Sequence, residues 1–334
     1  MNWNSGFSAT YYGTFVDAES WRDVERFELT QGSIQKTTES LRQSADIQCV
    51  RYDRSRERWI RIWLDARQGT TVEHVPLFTG LASAPSRDIN GYYESNQIEC
   101  YSVLKPAEDV LLERGWFAGE GMSGAHLVKN LLDVIPAPIV EGDNSPTLKE
   151  NIIAENGENH LSMANKVLTA INWRLIIDGD GTVHIVPPTS TVGRMFSVLD
   201  NDTIEPQISM SDDWYACPNV FRAINGDNVG IARDDSEESR FSTVNRGREI
   251  WKEESNCNLN SGENITQYAQ RRLKEEQDKV ITVSYSRRFD PALNPTDVVR
   301  LHYPAQDLDG LYVIYSQGIE LGHGARVSEE VVKI

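Results

Sequence analysis

Apolar and polar residues alternate along several short segments between residues 20 and 104. Within Arg58–Leu64, every second residue is aliphatic, and tryptophans occupy two of the positions between them. Alternation with a period of two is typical of antiparallel strands that bury one face. The same pattern recurs in Ser44–Arg51 and Asn96–Leu104. The apolar positions are Ile47, Cys49, Ile60, Ile62, Leu64, Ile98, Cys100 and Leu104.

Turn-forming residues separate these predicted strands. Arg67-Gln68-Gly69 and Asn90-Gly91 each lie between two strand-like segments, and Asn-Gly is a strong hairpin signal. Short strands at this spacing favour a small barrel or sandwich. We therefore predict a first β-barrel-like domain over residues 1–104.

The period changes after residue 104. Apolar residues recur at three- and four-residue steps in Ser123–Ile135, which predicts a helix ended by Pro136 and Pro138. A second apolar stripe over residues 161–171 predicts another helix, capped by Asn159 or Ser162. A β-hairpin follows, turning at Asp178-Gly-Asp-Gly181. Residues 105–190 are therefore predicted to form a small α+β domain.

Strand patterns return after Pro187-Pro188. They continue to residue 334 through Val280–Tyr285, Val298–Tyr303 and Leu311–Leu321, with one predicted helix over residues 263–277. A second β-barrel-like domain over residues 191–334 is the simplest interpretation. The predicted fold class is thus mainly β with an α+β insertion between two small barrels.

Charge and hydropathy narrow the functional classes. The 334-residue chain carries a net charge of −17, which disfavours binding to a phosphate backbone. Such acidity serves solubility, or it forms a surface past which DNA slides without adhesion. No segment approaches the roughly 20 consecutive apolar residues of a membrane span, and the N-terminus lacks a secretory signal. We expect a protein made in a cytosol.

Several motifs superficially indicate chemistry. Gly119-Glu-Gly-Met-Ser-Gly124 matches GxGxxG, but no clean strand precedes it and Glu120 would face a pyrophosphate, so we predict a flexible interdomain loop. Asp178–Gly181 lacks the downstream carboxylates of a calcium loop. Asp212-Asp213 could serve glycoside hydrolysis, yet adjacent acidic pairs arise by chance among 50 acidic residues.

Histidines and cysteines show no ligand spacing. The six histidines are scattered, and the four cysteines contain no CxxC pair, which favours buried free thiols over zinc or disulfides. The histidines and cysteines concerned are His74, His126, His160, His184, His302, His323, Cys49, Cys100, Cys217 and Cys257. We predict no catalytic, cofactor-binding or metal-binding residue in the chain.

The order of the segments resembles the trimeric hub proteins of tailed-phage baseplates and tail tips. Val75-Pro-Leu-Phe-Thr-Gly80 is similar to a strand of the first hub barrel, and residues 167–187 resemble the helix and hairpin of the inserted domain. Cys217–Gly226 resembles the strand after a "W…PN" approach. Ala269–Glu276 and Phe289–Leu301 resemble the closing helix and strand, with Thr296 replacing the usual Gly.

The resemblance implies a non-enzymatic adaptor of the virion tail, assembled in the bacterial host cytoplasm. Hub proteins form homotrimers whose six barrels match the hexameric tail tube, or a distal tail protein, on one side. A spike or tip protein docks on the other side, and DNA passes through the channel during ejection without specific binding. In such a ring, Trp59 and Trp63 would lie at a subunit interface or, alternatively, pack within one subunit.

Two other classes stay open. One is a cell-wall-degrading tail enzyme, which requires a cleft with two carboxylates of divergent pKa. The other is a carbohydrate-binding tail module, which requires exposed aromatic platforms. The resemblance favours the structural hub over both.

Overall fold

A computed structural model describes residues 1–53, 55–91, 93–189, 191–197, 199–200, 204–212, 214–215, 217–255, 257, 259, 263–278 and 280–334, with backbone alone for 84, 93 and 212. Strands dominate, as the alternating pattern predicted, and the helices are short. None of the helices in this part of the chain has the length and hydrophobicity needed to cross a membrane.

The N-terminal strands form a closed antiparallel barrel, here called the first barrel. Its order is β1-β4-β5-β6-β3-β2, and pairing between β1 and β2 closes the ring. The strands are β1 (Ser8–Val16), β2 (Asp23–Thr37), β3 (Gln43–Cys49), β4 (Arg58–Gln68), β5 (Thr71–Asn90) and β6 (Tyr93–Ser102).

Side chains at alternating positions fill the first barrel. Ile60, Ile62 and Leu64 are completely buried, as the period of two predicted. The predicted turns are also confirmed, because Gln68 pairs with Thr71 across one hairpin and Asn90 with Tyr93 across the other.

The two tryptophans of β4 have partners inside the chain. Trp59 packs against the core of the next segment, with its ring centroid 5.6 Å from that of Trp21. Trp63 donates a hydrogen bond to Thr14 Oγ1 at 3.2 Å and stacks over Tyr12. Both tryptophans thus have contacts within the chain, and their place at a subunit interface stays a prediction.

An α+β segment of three helices and several short strands follows the first barrel. It contains α1 (Lys105–Asp109), β7 (Phe117–Ala118), α2 (Gly124–Leu131), β8 (Ile139–Glu141), β9 (Ile152–Ile153), α3 (His160–Ile171), β10 (Arg174–Ile177) and β11 (Val183–Val186). The N-cap of α3 is Asn159, whose side chain accepts a hydrogen bond from the Ser162 amide at 2.8 Å. The predicted hairpin is confirmed by the pairing of β10 with β11.

Helix α2 is shorter than the predicted Ser123–Ile135. Leu132 is its C-cap, and the Ile135 amide donates to Leu132 O at 3.0 Å in a turn. Leu132 and Ile135 remain buried all the same. The apolar stripe therefore continues past the end of the helix, which explains the overestimate.

The C-terminal strands form a second barrel with the order β12-β18-β19-β20-β17-β13. Its strands are β12 (Val192–Ser197), β13 (Ile204–Asp212), β17 (Ile281–Arg288), β18 (Val298–Tyr303), β19 (Leu308–Glu320) and β20 (Arg326–Lys333). Counted along the chain, this is the order of the first barrel: first, fourth, fifth, sixth, third, second. Strand β12 runs parallel to β18, however, and no pairing joins β12 to β13 within the described residues.

A small inserted module separates β13 from β17. It consists of a three-stranded sheet with α5 packed on it, around a cluster that includes Phe221, Tyr268 and Leu273. Its elements are β14 (Val220–Asn225), β15 (Asn228–Arg233), α4 (Thr243–Arg246), β16 (Trp251–Ser255) and α5 (Ile265–Asp278). The predicted helix 263–277 corresponds to α5. The proposed boundaries 1–104, 105–190 and 191–334 stay predictions.

The turn of the α+β hairpin docks on the first barrel. Trp21 Nε1 and Arg61 Nη2 both donate to Asp180 O at 2.9 Å, and Thr79 Oγ1 donates to Gly179 O at 2.8 Å. A Cβ atom on Gly179 would lie 1.8 Å from Pro76 O. Only glycine allows this approach of two backbones.

Replacing Gly179 with alanine should therefore separate the hairpin from the first barrel. We expect Gly179→Ala to lower the free energy of unfolding by about 1–3 kcal/mol, the usual cost of overpacking. Gly322→Ala is the matched control, because nothing lies within 4 Å of its Cβ position. Urea titrations followed by tryptophan fluorescence would compare the two, and equal midpoints would contradict this account of the docking.

Candidate functional site at the junction of the barrels

One antiparallel ladder joins the two barrels. Strand β2 pairs with β1 over residues 23–28 and with β19 over Ser33–Thr37. Strand β19 likewise pairs with β18 up to Val313 and with β2 from Ser316 onward. Along one edge, β2 and β19 thus each pair first with a strand of their own barrel and then with each other. Backbone groups that would otherwise be unpaired beyond the end of β1 or β18 are hydrogen-bonded across the junction.

Apolar side chains of the second barrel complete the core of the first. Phe289, Ile319 and Val327 belong to the buried cluster that contains Ile34 and Ile98. The Phe289 ring also packs edge-on against Trp3, with centroids 5.5 Å apart. The two barrels therefore share buried surface as well as backbone hydrogen bonds.

A buried polar network lies beside this shared core. Glu329 Oε1 accepts from Arg287 Nη2 and from Gln317 Nε2, both at 2.6 Å, and Gln317 Nε2 also donates to Leu293 O at 2.9 Å. All three side chains are at most 3% exposed. Burial and the neighbouring Glu329 raise the pKa of Tyr285 well above its usual value, which keeps this phenol neutral.

Lys36 brings a further charge from β2. Its Nζ donates to Asn294 Oδ1 at 3.3 Å, and burial lowers its pKa to about 8 against the opposing attraction of Asp178. A cavity of about 330 Å³ lies beside it, lined by residues of both barrels and of the hairpin turn, among them Lys36, Asp178, Arg287, Asp290, Asn294 and Gln317. This site joins all three parts of the chain.

The opposite face of the junction is a concave polar surface. Small hydroxyl-bearing residues line it, together with Glu39, Glu205, Glu320 and Glu330. Arg326 is the one basic residue that the described part of the chain contributes to this lining, and its Nε and Nη2 donate to the two Glu205 carboxylate oxygens at 2.7 and 2.8 Å. Most of the side chains that line this concave face are therefore polar, and its charged groups are mainly acidic.

Solved structures with the same architecture come from phage tails and a secretion system. The tail protein from Neisseria meningitidis MC58 matches with a TM-score of 0.69 at 12% identity, covering 98% of this chain and 97% of that one. The 43 kDa tail protein of prophage MuSo2 from Shewanella oneidensis matches at 0.67 and 12%, covering 98% of each chain. An E. coli type VI secretion component matches at 0.54 and 8%, covering 92% of this chain and 74% of that one.

This chain has the fold of a phage tail protein. No protein-family model and no curated protein matches it. The structural likeness therefore identifies the tail-protein fold at a level of sequence divergence where the sequence comparisons find nothing.

Within this tail-protein fold, the GxGxxG segment is a loop of the α+β segment. The strand before it, Phe117–Ala118, pairs antiparallel with β9, and the Gly121 amide donates to Leu148 O at 2.9 Å. A dinucleotide site requires a parallel βαβ unit. The expected location between domains was wrong, because hydrogen bonds hold this loop inside the segment.

The other candidate motifs have structural roles where they are described. Asp178–Gly181 is a turn, in which the Gly181 amide donates to Asp178 O at 2.9 Å. The four cysteines are buried and form no disulfide, and burial raises the pKa of Cys49 to about 11. The described residues contain no group of three or more His, Cys, Asp or Glu side chains that could hold a metal. Asp213 of the acidic pair lies outside the described residues.

The buried network was not predicted from the sequence, although each of its strands carries a signal for it. On β17, Arg287 lies on the same inward face as Val283 and Tyr285. On β20, Glu329 lies on the same inward face as Val327 and Val331. A charged residue in phase with apolar ones on a strand indicates a buried charge, which needs a partner. Once β17 and β20 are known to be neighbours, their opposite charges in this phase predict the pair.

Removing one member of the buried ion pair should be costly. Glu329→Leu leaves Arg287 buried without its carboxylate, and we expect a loss of about 3–5 kcal/mol in the free energy of unfolding. The double variant Arg287→Met/Glu329→Leu should recover most of this loss. Glu205→Leu, in the exposed pair with Arg326, should change stability by less than about 1 kcal/mol. Denaturant titration distinguishes these outcomes, and a non-recovering double variant would contradict the account.

Lys36 should make stability depend on alkaline pH. Below pH 8, Lys36 is protonated in both the folded and the unfolded state, and burying its charge destabilises the fold. Between pH 8 and 10.5, Lys36 is neutral in the folded state but still protonated in the unfolded state. The free energy of unfolding therefore rises with pH in this range, relative to a variant with a neutral residue at position 36. The stability advantage of Lys36→Met over wild type should therefore fall by about 2–3 kcal/mol from pH 7 to pH 10. Lys274→Met, at an exposed site, should show a flat difference. A flat difference for Lys36→Met as well would disprove the shift.

Proposed function

We propose that this protein is a structural hub subunit of a phage tail or a related injection machine. Three copies would form a ring in which the six barrels alternate, matching a hexameric tail tube, or a distal tail protein, on one side. A spike or tip protein would dock on the other side. The observation that carries this proposal is the repeat of one strand order in two barrels of a single chain, joined edge to edge by β2 and β19.

The rigidity of the junction supports an adaptor role. A subunit that transmits symmetry from a tube to a tip must keep its two barrels at a fixed angle. Shared core residues such as Phe289 and the β2–β19 ladder both resist rotation between the barrels. The α+β segment, docked through Gly179 and Asp180, would supply the threefold features of the ring.

The acidic concave face supports a channel lining. Carboxylates such as Glu320 and Glu330 would repel the phosphate backbone of DNA. Arg326, which is paired with Glu205, would not reverse this repulsion. The net charge of −17 is consistent with a surface of this kind.

We further propose that the role is architectural rather than catalytic, in the virion tail after assembly in the host cytoplasm. Residues 1–104 and 191–334 would be the hub domains, and residues 105–190 the domain between them. The buried carboxylate Glu329 is held by Arg287 and Gln317 within a core, whereas a glycosidase acid must face its substrate.

Light scattering coupled to size exclusion tests the oligomeric state. We expect a concentration-dependent species of three times the 37.7 kDa of one chain, seen by negative-stain imaging as a six-lobed ring with a central channel. A closed twofold dimer would contradict the hub, because two copies cannot bring six barrels around one axis. Release of soluble fragments from purified cell walls would favour the enzymatic alternative instead.

A further inference from the structure

We propose that the free edge of β13 pairs with the free end of β5 from a second copy of this chain, in the register of the internal β2–β19 ladder. This inference rests on the proposed hub function and specifies its subunit interface. It follows from a repeat in the strand registers of the two barrels.

Strands β5 and β19 are equivalent in detail. Each pairs first with the fourth strand of its barrel, up to Ala82 in β5 and Val313 in β19. Each then pairs with the sixth strand and contains a one-residue bulge, between Ala82 and Ala84 or between Ile314 and Ser316. The bulges therefore align the two strands residue by residue.

Beyond their bulges, β5 and β19 differ in one respect. On the edge of β19 where the pairing with β18 ends at Val313, residues Ser316–Glu320 pair with β2. The corresponding edge of β5, over residues 83–90, has no backbone partner among the described residues. An unpaired strand edge in this position is a template for another strand.

Strands β2 and β13 are equivalent in the same way. Ile34 lies opposite Ala45, which lies opposite Cys100. Met210 lies opposite Val283, which in turn lies opposite Val331. Cys100 and Val331 occupy the same position, because they pair with Ala82 and Ile314 just before the two bulges.

The outer edge of β13 is also free. Whereas β2 uses this edge to pair with β19, residues 208–212 of β13 pair only with β17 in the described part of the chain. The internal ladder thus uses the second strand of one barrel and the fifth strand of the other. The remaining two strands of this kind, β5 (the fifth strand of the first barrel) and β13 (the second strand of the second barrel), keep the corresponding edges unpaired among the described residues.

Transferring the internal register gives specific pairs between copies. Gly318 opposite Gln35 becomes Ser86 opposite Ser211. Moving one residue along each strand, Arg87 lies opposite Met210. Asp88 then lies opposite Ser209, and Ile89 opposite Ile208.

Exposed apolar side chains lie along these two edges. Met210 is 51% exposed and Ile89 is 65% exposed, although both lie within strands. The proposed register brings Ile89 onto Ile208, which packs at the margin of the second barrel's core. Pairing would therefore bury apolar surface that each copy leaves in water.

Pro85 removes one hydrogen-bond donor from the free edge of β5. In β19, Tyr315 O accepts from the Thr38 amide at 3.1 Å and the Leu321 amide donates to Gly32 O at 3.0 Å, so odd-numbered residues face β2. By equivalence, residues 83, 85, 87 and 89 of β5 face the free edge, where Pro85 offers no N–H. The ladder between copies therefore has one donor fewer than the internal ladder, which discourages indiscriminate pairing.

This interface is head-to-tail, so its repetition closes into a ring or extends into a filament. Within each chain the first barrel joins the second, and between chains the second would join the first of the next copy. Alternation of two equivalent junctions is what a ring of six similar barrels requires.

Cysteine cross-linking tests the register. The pair Ser86 and Ser211 would be a non-hydrogen-bonded pair with Cα atoms about 4.5 Å apart, within the range of a disulfide. Both residues are exposed, and the four native cysteines are buried. Under mild oxidation, we expect Ser86→Cys/Ser211→Cys to give covalent trimers on non-reducing gels. A mixture of the two single variants should give covalent dimers and nothing larger.

Two control variants define the geometry. Gln35→Cys/Gly318→Cys, at the equivalent internal positions, should form a disulfide within one chain and shows that the register suits the reaction. Ser86→Cys/Ser209→Cys is out of register by two residues, where diagonal separations of about 7–8 Å prevent efficient bonding.

The outcomes separate this inference from the hub proposal. A trimer by light scattering that does not cross-link through Ser86→Cys/Ser211→Cys, or cross-links equally out of register, overturns the strand pairing and leaves the hub intact. A chain that neither associates at high concentration nor cross-links contradicts both. In-register cross-links that are lost in the out-of-register control support the pairing.

Discussion

The pairing of β2 with β19 is the constraint on which the rest of this structure depends. Both strands extend beyond what their own barrels use, and the excess length would expose a row of unpaired backbone groups in water. Joining the two excess lengths satisfies both edges at once. It also fixes the barrels to each other, so the hairpin turn and the buried network have defined positions in which to form.

The buried polar network adds specificity to the second barrel, beside this joint. An apolar core alone would tolerate a slip of two residues between β20 and its neighbours β17 and β19, since every second side chain would still face inward. Arg287, Gln317 and Glu329 tolerate no slip, because each needs its partner to offset the loss of solvent. We infer that the cost of burying these groups is retained because it selects one register.

Local features of this fold were predictable from sequence, and long-range features were not. The alternation in β4, the Asn90-Gly91 hairpin and the Asn159 cap each depend on a few neighbouring residues. The closure of the first barrel through β1 and β2, the joint with β19 and the module that holds α5 depend on which strands meet. That information resides in packing between distant segments, as in the 285-residue separation of the paired residues Ile34 and Ile319. The buried pair lies between these cases, because its phase is visible in each strand but its partner is not.

The two barrels share an order but not a direction for their first strand, and this difference has a consequence. Strand β1 runs antiparallel to β4 and closes its ring with β2, whereas β12 enters from the α+β segment and runs parallel to β18. In the described residues β12 forms no ladder with β13, so the part of β13 that corresponds to the β1-pairing part of β2 lacks the partner that closes the first barrel. The part that corresponds to the β19-pairing part of β2, residues 208–212, also has no second partner among the described residues. The second barrel therefore keeps the edge that the first barrel uses for the joint, and we propose that another chain completes it.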